Sequence, residues 1–186
     1  MIGIDEVGRG CWAGPLLIVA ARCNSTLPVG LKDSKKLSAK KRELFYDLID
    51  ATCDVGMGWV SVPEIDHYGL TVAMRMGVER ALASIGAQRD EEIIMDGIIN
   101  YCADSFVNVK CVAKADDLYP IVSAASIYAK VSRDRYMAEL KDGYEVYQFA
   151  KHVGYGTALH LAMLNMHGVS DQHRLSFAPV KRIVTI

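Results

Sequence analysis

The chain has 186 residues, 51% of them hydrophobic, which suits one compact domain with a sizeable core. Its formal net charge is −1 and its charged fraction an ordinary 23%, so overall charge gives no pointer to nucleic acid. No stretch approaches the length of a transmembrane helix, and the start lacks a basic segment followed by an apolar run and a cleavage site; a cytoplasmic protein is expected.

The opening "MIGIDEVG" reads as a short apolar strand that ends in two acids, Asp5 and Glu6. "GPLLIVAARC" is a continuous apolar run bounded by Gly14-Pro15, as in a strand buried on both faces, and the two strands form a hairpin through the Gly8–Gly14 loop. "GLKDSKKLSAKKR" follows, with Lys32, Lys35, Lys36, Lys40, Lys41 and Arg42 against one acid, Asp33. It reads equally as a local basic patch for a polyanion and as a solvated helix face.

Ser38 is placed to cap a helix in which Leu44, Phe45, Leu48 and Ile49 recur at helical spacing. "DVGMGWVSV" reads as a third strand, weakened or bulged at Gly56 and Gly58. "LTVAMRMGVERALASIG" is a helix with an apolar face from Leu70 to Ile85, close-packing permitted at Gly77 and an end at Gly86. "EEIIMDG" and "FVNVKCVAK" are the fourth and fifth strands, the fourth ending in Asp96. Pro120 opens a helix to about Leu140, and Thr157 caps another that stops at Gly168. Together these elements predict an α/β fold with a mixed sheet, a single domain over residues 1–186, and a helical C-terminal portion at about 141–186.

The five cysteines are scattered without a CxxC pair, which excludes a disulfide framework or a structural zinc. The five histidines lack metal-ligand spacing and are expected on the surface or in the core.

Chemistry is concentrated in acids at or just past strand ends: Asp5, Glu6, Asp96 and Asp116. Strand ends of an open α/β sheet are where sites form. Carboxylates gathered there repel and raise one another's pKa unless a cation neutralises them. Mg²⁺-like ions take oxygen ligands, and two of them about 3.5–4 Å apart clamp the attacking and leaving oxygens of a phosphodiester. Read one at a time, Asp96-Gly97 is equally a turn, and Asp116-Asp117 equally a cap for the helix opened by Pro120.

"IDEVGRG.WAGP", "LKDSKKLS.KKR", "MDG", "KADDLYPIVSAASIYAKVSRDRYM", "GYGT..H" and "HRLSFAPV" together resemble the ribonuclease HII (type 2 ribonuclease H) family, over Gly3 to Val180. The resemblance implies a ribonuclease H-like fold, a five-stranded mixed sheet flanked by helices. It implies cleavage of RNA in RNA–DNA hybrids and incision 5′ to single ribonucleotides in duplex DNA, dependent on two divalent ions, Mg²⁺ or Mn²⁺. It places the four catalytic and metal-binding carboxylates on Asp5, Glu6, Asp96 and Asp116, preferring Asp116 over Asp117 as the acid directly after "KA". Asp134 is then structural, paired with Arg133 or Arg135.

Gly8, Arg9 and Gly10 would bring backbone close to a 2′-hydroxyl, and Tyr155 would pack on the ribose at the junction. Ser34, Lys35 and Lys36, with Ser126, Lys130 and Arg133 on the helix after Pro120, would hold phosphates, which positions a duplex without reading its sequence. Cys11-Trp12 stand where the family usually has Pro-Leu, which is expected to change the stiffness of that loop. Gly69 stands where Asn is common, which is expected to leave the next helix without a side-chain cap. A monomer is the default. A junction-resolvase-like nuclease of the same fold and a non-catalytic nucleic-acid-binding protein are the competing readings.

Overall fold

The computed structural model describes residues 1–140 and 143–184, so positions 141, 142, 185 and 186 of the expected C-terminal helical portion lie outside the described residues. Strands β1 (Ile2–Val7), β2 (Leu16–Cys23), β3 (Cys53–Val60), β4 (Ile93–Asp96) and β5 (Val109–Val112) form one sheet in the order β3-β2-β1-β4-β5. The β1–β2 and β2–β3 pairs are antiparallel, whereas β1–β4 and β4–β5 are parallel. The mixed sheet therefore brings the C-terminal ends of β1, β4 and β5 to one edge.

Helices α1 (Ala39–Thr52) and α5 (Pro120–Glu139) cover one face of the sheet, and α2 (Val62–Tyr68) and α3 (Leu70–Ser84) the other. Alternation along the strands divides the core accordingly. Ile2, Ile4, Leu16 and Ile18 pack toward α3, while Leu17, Val19 and Ile94 pack toward α5. Past β5 come α4 (Ala115–Leu118) and then α5, and α6 (Phe149–His152), α7 (Ala158–His167) and α8 (Ala178–Val184) make the C-terminal portion helical as expected.

One missing side chain sets the height of α5 over the site. A Cβ on Gly3 would lie 2.5 Å from the carbonyl carbon of Ile121 and 2.7 Å from the amide nitrogen of Val122, so the helix backbone rests directly on β1. Ser126, a little over one turn further along α5, then sits over Asp5.

Two local expectations change. Gly56 and Gly58 make no bulge: β3 pairs without interruption from Cys53 to Val60. The glycines serve α3, because a Cβ at either position would strike the backbone oxygen of Ala81 or Gly77. In α1 the apolar stripe is only partly used: Ile49 is buried and Phe45 packs at the margin, but Leu44 and Leu48 are 59% and 41% exposed. Ser38 does cap α1, and α3 starts from Gly69 (φ +77) with no side-chain cap.

Candidate active site

The register of the sheet assembles the acids. Ile4 lies beside Met95 in the parallel β1–β4 pair, so Asp5 and Asp96, one residue on, leave adjacent strand ends. Asp96 Oδ1 accepts a hydrogen bond from the amide of Ala115 at 2.7 Å, which anchors the start of α4 and delivers Asp116 beside it. Lys114 takes a left-handed conformation (φ +60) just before this turn. Asp96-Gly97 is thus a turn as well (Gly97 φ +101), but Asp116 does not cap α5, whose N-terminus has no side-chain cap.

Asp5 and Asp116 are 8% and 7% exposed. Burial pushes the carboxyl of Asp5 up to about 8, with the neighbouring charge of Glu6 adding and a hydrogen bond from Ser126 opposing. Burial also raises Glu6, against the pull of Arg9, and raises Asp116, with Asp33 and Asp96 adding. The only counter-charge close to Glu6 among the described ion pairs is Arg9, whose guanidinium is 3.6 Å away. An all-oxygen donor set short of positive charge fits a hard divalent cation. Among the described residues no three or more His, Cys, Asp or Glu side chains already close around one point. The acids converge on a common edge, and the cation would draw them together.

A cavity of about 390 Å³ opens over Asp5 and Glu6. Gly8, Arg9 and Gly10 form one wall, Tyr155 and Lys130 another, and Ser34, Lys35 and Ser126 the side nearest the basic segment. A Cβ on Gly8 (φ +86) would collide with Arg133, whereas one on Gly10 would meet nothing within 4 Å, so the Gly10 backbone presents open space to the cavity. Arg9 also donates to the Tyr101 hydroxyl at 3.3 Å. Lys130 Nζ stands 5.8 Å from the centre of the Tyr155 ring. Burial pushes the Tyr155 phenol up to about 12, so it is a neutral hydroxyl at ordinary pH. A second cavity of about 310 Å³ continues from Glu6 and Arg9 past Asp96 to the exposed Ile98 and Ile99. A further cavity of about 520 Å³ lies apart at Pro15, Trp59, Val62 and Tyr136, where the acid Glu64 is already paired with Arg80.

Three expected contacts are revised. Arg133 does not face phosphate: it is 0% exposed, and its guanidinium donates to the carbonyls of Pro15 (2.8 Å), Val153 (2.7 Å) and Ala13 (3.0 Å). Helical spacing aligned it with Ser126 and Lys130, but loops 8–15 and 153–157 fold over that end of α5. Asp134 pairs with Lys130 at 2.8 Å, four residues earlier on the same helix face, and not with Arg133 or Arg135. Lys36 lies outside the cavity and is bound to Asp117 at 2.6 Å.

Arg174 was not singled out by sequence and is the counterpart of Arg133. It is 0% exposed and donates to the carbonyls of Gly14 (2.8 and 3.0 Å) and Arg9 (3.1 Å), and burial brings its pKa down to about 10. Among the described residues neither guanidinium has an ion-pair partner. Between them they satisfy five carbonyls of the two loops that wall the cavity. The fork also restrains Val153, a β-branched residue held at φ +44. Arg133→Met is expected to destabilise the protein by about 3 kcal/mol or more, since three buried carbonyls lose charged donors. Urea unfolding measures this, and a loss below about 1 kcal/mol would show the fork to be dispensable.

An open mixed sheet whose parallel strand ends gather carboxylates under a cavity walled by glycines and lysines defines a nuclease of the ribonuclease H-like class. A family model described as Ribonuclease HII matches residues 2–180. The chain is 41% identical over 180 residues to a ribonuclease HII of Wolbachia sp. subsp. Brugia malayi, covering 96% of this chain and 87% of the relative. It is 44% identical to one from Burkholderia vietnamiensis, covering 96% and 82%. Ribonuclease HII of Archaeoglobus fulgidus, solved in a complex with PCNA, superposes with a TM-score of 0.79 at 26% identity, covering 95% of this chain and 94% of that one. Ribonuclease H2 of Pyrococcus horikoshii superposes at 0.76, also at 26% identity, covering 98% and 95%. The chain belongs to the ribonuclease HII family, and its class of reaction is ribonuclease H hydrolysis of RNA.

Proposed function

We propose that this chain cleaves the RNA strand of RNA–DNA hybrids and incises duplex DNA 5′ to single embedded ribonucleotides, as a monomer, with two divalent ions, Mg²⁺ or Mn²⁺, held by Asp5, Glu6, Asp96 and Asp116. The observation that carries this reading is the single cavity in which Asp5 and Glu6 face both the Gly8–Gly10 backbone and the Tyr155 ring. A related protein of the same fold, Bst ribonuclease HIII, has been solved with Mn²⁺.

Bound ions would supply a water of lowered pKa and positive charge for the leaving 3′ oxygen, yielding 5′-phosphate and 3′-hydroxyl ends. The remaining work falls to the chain. Asp5, on the central strand, would hold the ions together with Glu6, Asp96 and Asp116. Lys35 and Lys130 attract the phosphates on either side of the reacting one. The open backbone at Gly10 admits a 2′-hydroxyl beside amides and carbonyls, and Tyr155 closes the far side of the ribose. A deoxyribose offers nothing to that backbone, so the site loses a hydrogen bond and its alignment.

The test is a duplex carrying one ribonucleotide, incubated with Mg²⁺ or Mn²⁺ beside an all-DNA duplex and the Asp96→Asn variant. A single cut 5′ to the ribonucleotide, absent from both controls, is expected. Cutting of the all-DNA duplex would favour a resolvase-like enzyme, and no cutting of this duplex or of longer hybrids would overturn the reading. Tyr155→Phe should retain most of the activity, because the ring is kept, whereas Tyr155→Ala should lower kcat/KM on the single-ribonucleotide duplex by about tenfold or more, about 1.4 kcal/mol of transition-state contact.

A further inference from the structure

Behind Tyr155 three histidines meet that no spacing in the sequence suggests. His160 and His173 are 0% and 1% exposed and His152 is 5% exposed. The rings of His152 and His160 stack with centroids 4.3 Å apart, and His160 Nε2 lies 3.1 Å from His173 Nε2. Each ring nitrogen of the three has a partner, and those partners allow one assignment of protons.

The amide of Ser170 lies 2.9 Å from His173 Nδ1 and can only donate, so that nitrogen is bare. In the neutral ring the proton is then on Nε2, which faces His160 Nε2. That atom must accept, which leaves the His160 proton on Nδ1. Nδ1 in turn faces the Tyr155 carbonyl at 3.0 Å, which can only accept. His152 is fixed separately: its Nδ1 accepts from the Gly154 amide at 3.2 Å, and its Nε2 donates to the Tyr147 carbonyl at 2.9 Å.

We propose that His173 and His160 are positioning residues for ribose recognition: a one-way chain of hydrogen bonds, from the Ser170 amide through His173 and His160 to the Tyr155 carbonyl, sets where the Tyr155 ring stands in the cavity. This rests on the reading of Tyr155 as the residue that packs on the ribose. The relay acts on a segment already held at both ends. The amide of Tyr155 donates to the His152 carbonyl at 2.8 Å, and Gly154 accepts from the Trp12 amide at 2.8 Å. The Trp12 ring lies against Gly156, where no side chain would fit, and 5.6 Å from the His160 ring. Thr157, the cap of α7, takes its hydrogen bond from the His160 amide at 3.2 Å, so cap and relay converge on one residue. A shift of His160 moves the tyrosine.

Side-chain ¹⁵N NMR of the substrate-free protein at neutral pH tests the proton assignment directly. His160 is expected as the neutral Nδ1–H tautomer, and His152 and His173 as neutral Nε2–H tautomers. An Nε2–H or cationic His160 overturns the proposal. Kinetics on the single-ribonucleotide duplex tests the function, with His173→Gln, whose amide N–H can stand at the Nε2 position, against His173→Leu, which cannot donate. The Leu variant should lose about tenfold in kcat per folded molecule, with KM within about twofold because Lys35 and Lys130 are untouched. The Gln variant should recover most of that loss. Equal kcat per folded molecule in the Leu, Gln and wild-type proteins would show a purely structural role and overturn the proposal. His160→Asn, which keeps a donor near Nδ1, supplies the same comparison if His173→Leu does not fold. A wild-type chain that cut no ribonucleotide substrate would instead overturn the function, while the NMR tautomers would still decide the relay.

Discussion

Asp5→Asn is expected to cut hydrolysis by at least about 10³-fold while making the metal-free protein more stable. The loss corresponds to about 4 kcal/mol of transition-state stabilisation, as expected of a carboxylate proposed to hold the ions. The gain follows from burial. In the folded chain the Asp5 carboxyl is pushed up to about 8 from 3.8, chiefly because it is out of water. Between those two values the folded protein holds a proton that the unfolded chain has released, so this group costs stability increasingly as pH rises from about 4 to 8. At pH 7 the cost is on the order of 2–4 kcal/mol, which Asn, a neutral isostere, avoids. Thermal melts in chelator should show Asn raising Tm by roughly 5 °C or more near neutral pH, with the gain shrinking toward pH 4. Divalent ions should stabilise the wild-type chain and leave the variant nearly unchanged. A variant that melts below wild type in chelator at pH 7 would show that the carboxylate is not short of counter-charge.

That expectation has its root in a feature legible from residue types alone. An apolar strand ending in two acids, a second ending in one, and a fourth acid just past a further strand can meet only if the strands are neighbours. The parallel β1–β4 and β4–β5 pairs make them so. The order of elements and the caps at Ser38 and Thr157 were readable for the same reason, since each depends on residues within a few positions.

What escaped the sequence is made of long-range contacts that have no period. Arg133 falls on the same helical stripe as Ser126 and Lys130, and spacing cannot tell that the carbonyls of Ala13, Pro15 and Val153 cover its end of the stripe. Arg174 lies in a segment with no periodic pattern, and the loop it supports is more than 150 residues away. The exposure of Leu44 and Leu48 shows the converse: α1 carries an apolar stripe wider than the face α5 covers. His152, His160 and His173 have no regular spacing in the sequence; the bends around α6 and α7 join them through hydrogen bonds between rings and backbone.

The same histidines should make the protein acid-sensitive, with a sign opposite to that of Asp5. Burial is the largest cause of the low pKa of all three, and it brings His160 and His173 down to about 4 from 6.5. Mutual repulsion among the rings adds to this, while the charge of Asp171 and the Tyr155 carbonyl oppose it. Between pH 6.5 and 4 the unfolded chain therefore binds protons at these rings that the folded chain refuses, and stability is lost as pH falls through that window. Each refused proton is worth about 1.4 kcal/mol per pH unit, so the pair contributes a slope of up to about 2.7 kcal/mol per unit. In the wild-type chain Asp5 offsets about half of that slope, because it gains stability over the same range, and Glu6 and Asp116 act in the same direction as Asp5. Asp5→Asn removes the largest opposing group, so denaturant unfolding of that variant should show stability falling by about 1–2 kcal/mol per pH unit from pH 6.5 toward 4.5. Adding His173→Gln to Asp5→Asn should flatten the slope by removing one of the refused protons. A slope that is flat or rising in the Asp5→Asn chain would mean that the relay accepts protons without breaking, and that its hydrogen bonds do not run in the one direction the partners of His173 and His160 require.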